Sequence, residues 1–115
     1  MSALERRADR KVECTPLSDS DIASAIAALG SRWSHEGNEL VLTLSSKGML
    51  RTGKVAAWAG ALADDLEHHP TITVSYPGLR LAINTHDAKA ITVLDAIYCA
   101  RLERWLRSGF DEKTA

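Results

Sequence analysis

Phenylalanine occurs once in this chain, at Phe110, cysteine twice and proline three times, and neither sign of charge prevails. Cys14 and Cys99 are too few for a disulfide framework, and neither belongs to a CxxC pair of the kind that serves zinc or redox chemistry. No stretch approaches the ~18 uninterrupted apolar residues of a membrane span. The segment Met1 to Thr15 sets Arg6, Arg7, Arg10 and Lys11 among Glu5, Asp9 and Glu13, with no apolar run that would serve as a secretion signal. A cytoplasmic protein without membrane contact is therefore expected. A formal net charge of -1 argues against a nucleic-acid binder, since domains that grip phosphates are basic.

What remains is the composition of an ordinary globular domain, 45% apolar and 25% charged over 115 residues, a length that allows one core. Residues 1–14 and 111–115 are polar and aperiodic and read as tails around a domain at 15–110. Cys99 sits in a helical apolar pattern and belongs in the core, whereas Cys14 falls in a tail as a free thiol.

Caps and periodicity predict the elements. Ser18 followed by Asp21 resembles a capping box, Ile22, Ala25, Ile26 and Leu29 repeat at helical spacing, and Gly30 is placed to stop the helix. Residues 31–45 read as a hairpin: an extended segment begins at Trp33, Gly37-Asn38 supplies the turn, and Leu40, Leu42 and Leu44 alternate. A long helix spans Lys47 to Glu67, with Val55, Trp58 or Ala59, Leu62 and Leu66 on one face, and Pro70 marks its end. Ile72, Val74 and Tyr76, then Leu79, Leu81 and Ile83, alternate on either side of Pro77-Gly78, which predicts a second hairpin with its turn at that dipeptide. Thr92 to Asp95 repeats the cap, and Leu94, Tyr98, Leu102 and Trp105 form the stripe of a last helix ending near Arg107 and Gly109. The order α-β-β-α-β-β-α predicts an α+β domain, a four-stranded antiparallel sheet with helices packed on one face.

Three of the four histidines fall where elements end. His68 and His69 stand in succession at the end of the long helix, and His86 follows the strand expected over Leu79 to Thr85. Imidazole titrates near neutral pH, so one ring can donate a proton while another accepts one, which suits an elimination or dehydration. Three histidines could also hold zinc with an open position, but adjacent histidines at a helix end converge poorly on a metal, and none is expected. Asp64 lies four residues before His68 and could orient an imidazole. Asp95, third after Thr92, is already explained as a helix cap.

These residues resemble the signature of the pterin-4a-carbinolamine dehydratases. Asp64, His68, His69 and Pro70 open the pattern, Tyr76 follows after five intervening residues, His86 after nine more and Asp95 after eight. Trp33 resembles a tryptophan common near that point in the family, and the element order is the family's own. The resemblance implies dehydration of 4a-hydroxytetrahydropterin to the quinonoid dihydropterin, without metal or organic cofactor. By the same resemblance His68 and His86 form the acid/base pair, Asp95 belongs with them at the catalytic centre, His69 holds the pterin, and Asp64 belongs with His69 at the substrate-binding part of the site, where it and Asp95 orient the rings. A homodimer or homotetramer is also implied.

The chain departs from the family where phenylalanines are usual: the second strand has Leu42 and Leu44, and the long helix has none. Ala90 replaces a common glycine and Thr71 a common acidic residue. Some relatives of the dehydratase serve as binding proteins, so the alternative is a catalytically inactive Rubisco assembly factor of α-carboxysome biogenesis, with the Rubisco large subunit as partner. The charged face of Arg101, Glu103, Arg104 and Arg107 is its candidate surface.

Overall fold

The computed structural model describes residues 15–111; Cys14 and the expected tails, apart from Asp111, lie outside the described residues. The elements run α1 (Asp19–Leu29), β1 (Trp33–Glu36), β2 (Glu39–Ser45), α2 (Met49–Leu66), β3 (Thr71–Ser75), β4 (Gly78–Ile83) and α3 (Val93–Trp105). A 3-10 turn at His86–Ala88 precedes α3, and a wider π-helical turn at Leu106–Asp111 follows it. The expected α-β-β-α-β-β-α order is the observed one.

Two helices start on side-chain caps. Ser18 Oγ accepts the Asp21 N–H at 3.1 Å, and Thr92 and Asp95 make a reciprocal capping box for α3. By contrast α2 has no side-chain cap: Gly48 precedes it at φ 94, and Glu67 ends it in left-handed geometry at φ 52. For a residue with a Cβ that geometry costs roughly 1 kcal/mol. It swings the chain out of the helix one residue before His68.

The sheet is antiparallel throughout, in the order β1-β2-β4-β3. Register sets Trp33, Leu42, Leu81 and Ile72 in one row across all four strands, and Leu44, Leu79 and Val74 in the next. This face meets Ile22 and Leu29 of α1, Val55, Ala59, Leu62 and Leu66 of α2, and Tyr98 and Leu102 of α3. The other face carries exposed Thr43, Ser45, Thr73, Ser75 and Arg80, so the helices lie on one side. Tyr98 and Cys99 are fully buried, and the Tyr98 hydroxyl donates to Ala59 O at 2.7 Å. Burial, and then the charge of Asp95, push the Cys99 thiol well above its usual range.

The second hairpin turns earlier than its dipeptide suggests. β3 ends at Ser75, Tyr76-Pro77 form the connection, and Gly78 opens β4 opposite Ser75. The glycine is needed for space, because a Cβ there would lie 2.1 Å from Leu44 O. Tyr76 is left exposed in the turn instead of alternating with Ile72 and Val74.

Glu103 departs from the charged face expected at the end of α3, of which Arg104 and Arg107 stay exposed. Glu103 is buried and accepts from Arg32 Nε at 2.9 Å, Trp33 Nε1 at 2.8 Å and Arg107 Nε at 2.6 Å. Arg32 also reaches Asp111 Oδ2 at 2.7 Å, which holds the final turn against the start of β1. Burial alone would raise the Glu103 carboxyl; the bonds from Arg32, Trp33 and Arg107 outweigh it and hold the group below its ordinary range.

Candidate active site

His68 is the first residue beyond the left-handed end of α2, and its backbone N–H still donates to Ala63 O at 3.0 Å. Its buried ring points at α3, where Nε2 lies 2.5 Å from Asp95 Oδ1. Asp95 is fully buried, and its other oxygen, Oδ2, accepts from Thr92 N at 2.8 Å and from the Thr85 hydroxyl at 2.9 Å. With Oδ2 taken by two donors, Oδ1 is the acceptor left for the ring, so His68 Nε2–H donates to it. Nδ1 of His68 makes no hydrogen bond among the described residues.

His69 is exposed and pairs with exposed Asp64, Nε2 to Oδ1 at 3.0 Å. The helical spacing pointed Asp64 at His68. It reaches His69 instead, because Glu67 leaves helical geometry between them and sends His68 inward. A pair this open adds little to stability.

His86 is exposed and makes no side-chain hydrogen bond among the described residues. The strand before it stops at Ile83 instead of reaching Thr85, and His86 opens the 3-10 turn. Thr85 and Ala90 close that loop across an isolated bridge, with Lys89 in left-handed geometry at φ 52. Asn38 in the first hairpin turn adds a bond to Lys89 O at 3.2 Å.

The end of α2, the start of β3, the end of β4 and the start of α3 thus converge at one end of the sheet. His68 and Asp95 join directly, His69 is next in the chain to His68, and His86 follows Thr85, which touches Asp95. Tyr76 is not there: it lies beyond β3, about 16 Å of strand from the histidines. Trp33 is not there either, since it bonds Glu103, roughly 12 Å along α3 from Asp95. Nothing local in the sequence marks Thr85, which the alternation places as the last residue of a strand. Among the described residues no three histidine, cysteine, aspartate or glutamate side chains converge to hold a metal.

Two clefts lie elsewhere. One of about 620 Å³ runs between α1 and α3, lined by Ala25, Ala28, Ala96, Ala100, Arg104 and Arg107. Another of about 480 Å³ flanks the stacked rings of Trp58 and Trp105. Neither includes a histidine.

Fold and site define an α+β domain that carries a buried histidine–aspartate pair at the end of its sheet. The profile of the family described as pterin 4 alpha carbinolamine dehydratase matches residues 15–105, and the chain belongs to that family. A protein of Haloarcula marismortui provisionally named a pterin-4-alpha-carbinolamine dehydratase is 33% identical over 86 residues, 75% of this chain and 90% of that one. One of the same provisional name from Chloroflexus aurantiacus is 33% identical over 87 residues, 76% of this chain and 92% of its own length. A crystal structure of a transcriptional coactivator/pterin dehydratase from Brucella melitensis superposes with a TM-score of 0.72 at 22% identity, covering 78% of this chain and 97% of that one. At that identity the likeness shows the fold.

Proposed function

We propose that the chain dehydrates a 4a-hydroxytetrahydropterin to the quinonoid dihydropterin by acid/base catalysis. The carrying observation is the buried His68–Asp95 pair in a chain of this family, which engages Nε2 of His68 and leaves Nδ1 without a hydrogen bond among the described residues. In the reaction the C4a–O bond breaks, the departing hydroxyl takes a proton and leaves as water, N5 loses its proton, and a C4a–N5 double bond forms. His68 and His86 divide the two proton transfers. Asp95 holds the His68 ring in place, His69 binds the pterin, and Asp64 steadies His69. No electron acceptor is needed, since the step is a loss of water.

The test mixes purified protein with chemically generated 4a-hydroxytetrahydropterin and follows absorbance of the quinonoid product. Formation faster than in buffer is expected. A rate equal to buffer removes the enzyme reading and leaves the Rubisco assembly factor, a reading motivated by the missing phenylalanines. Co-sedimentation with the Rubisco large subunit would then test that partner.

A homodimer or homotetramer is part of the same proposal. β3 is an edge strand of sequence Thr-Ile-Thr-Val-Ser, with neither charge nor proline to blunt it, and such edges pair unless covered. Sedimentation at micromolar concentration should give more than a monomer; a monomer would refute it.

A further inference from the structure

Thr85 is buried at 1% exposure, and its backbone and side chain act on different parts of the site. The backbone N–H donates to Ala90 O at 2.9 Å and closes the loop that carries His86. The hydroxyl donates to Asp95 Oδ2 at 2.9 Å and lies 2.6 Å from Thr92 Oγ1. The cap of α3 does not require that hydroxyl, because Thr92 and Asp95 complete the capping box by themselves. Valine has the same shape and suits the extended backbone, so a hydroxyl here answers a different need.

Counting hydrogens shows that need. Thr85 has one hydroxyl hydrogen and gives it to Asp95, so the hydrogen between the two threonines comes from Thr92. Thr92 Oγ1 in turn accepts from Leu94 N at 3.2 Å. Donors therefore run one way, from the first turn of α3 through Thr92 and Thr85 to Asp95, and each bond polarises the next. Oδ2 is pinned from two directions, by Thr92 N–H and by Thr85 O–H, which stops the carboxylate rotating and aims Oδ1 at His68.

We infer that Thr85 is a positioning residue: its hydroxyl locks the Asp95 carboxylate, and through it the His68 ring, in register with the loop that presents His86. The kinetic consequence rests on the dehydratase reading; the geometric one does not.

The experiment compares Thr85→Val and Thr85→Ser in the full chain by steady-state dehydration and by ¹H–¹⁵N spectra of the His68 imidazole. Thr85→Val should lower kcat about tenfold to a hundredfold, the worth of one hydrogen bond to a charged group, with KM within about twofold. It should also move the His68 Nε2 proton resonance. Thr85→Ser, which keeps the hydroxyl, should restore both. An unmoved Nε2 proton in Thr85→Val overturns the inference whatever kcat does, and so does a Thr85→Ser chain that behaves like the valine variant. If Thr85→Val does not fold, Thr85→Ala takes its place with the same expectations. A wild-type chain without dehydratase activity would end the kinetic comparison together with the proposed function, and the spectra alone would then decide.

Discussion

Asp95 Oδ1 lies 2.5 Å from Nε2 of His68, a buried bond between residues 27 apart that joins the end of α2 to the start of α3. Asp95 therefore has two tasks, capping α3 and fixing an imidazole, and substitutions can separate them. Asp95→Ala removes both, with a loss of stability of about 3 kcal/mol from the missing cap and the unpaired buried partners. Asp95→Asn keeps an oxygen for Thr92 N–H but sets an amide against His68, forcing the ring to the other tautomer. The expectation is a kcat reduced at least a hundredfold with much less destabilisation than in Asp95→Ala. Urea unfolding followed by tryptophan fluorescence, beside the dehydration assay, checks both.

His86→Ala should behave in the opposite way to Asp95→Ala. The ring is exposed and unbonded among the described residues, so the unfolding free energy should stay within about 0.5 kcal/mol of wild type. Dehydration should nevertheless fall about a hundredfold or more. A rate near wild type would take His86 out of the mechanism.

Glu103 makes stability depend on pH in a definite direction. Its carboxyl is held below the ordinary glutamate range by Arg32, Trp33 and Arg107, so its contribution is complete above about pH 5 and is lost as pH falls through the lowered value. Glu103→Gln should flatten that acid limb. At neutral pH it should cost about 3 kcal/mol, because Arg32 and Arg107 lose their buried counter-charge. Urea titrations between about pH 3 and pH 7 would show the change of slope.

Glycine substitutions should divide by position. Gly78→Ala drives a methyl group into Leu44 O across the β2–β4 pair and should destabilise by about 3 kcal/mol. Gly60→Ala, in the interior of α2 with open space at its Cβ, should stabilise by up to about 1 kcal/mol. Thermal melts of the two variants side by side test the contrast.

Much of the fold was legible because its signals are local. Ser18 and Thr92 announce their helices, Gly37-Asn38 its turn, and Leu40, Leu42 and Leu44 their buried face. Local rules failed where the chain changes geometry or where a partner is distant in sequence. Helical spacing puts Asp64 on the face of His68, a relation that no longer holds once Glu67 turns left-handed. Gly78 read as a turn residue, although its reason is the Leu44 carbonyl in a neighbouring strand. The Arg32–Glu103 pair spans 71 residues, so Glu103 passed for a surface charge. The motif brought the histidines to notice, yet nothing within it distinguished buried His68 from exposed His69 and His86.

The double duty of Asp95 changes what its presence means in a related sequence. A descendant that abandoned the reaction would still need a residue to begin its last helix, and a buried ring already bonded to that residue is costly to replace. Asp95 and His68 would then persist as architecture long after turnover had ceased. His86 has no such shelter, since its ring makes no hydrogen bond among the described residues. Under the proposed reaction, a histidine kept at that position in a relative would accordingly be the better mark of a working enzyme.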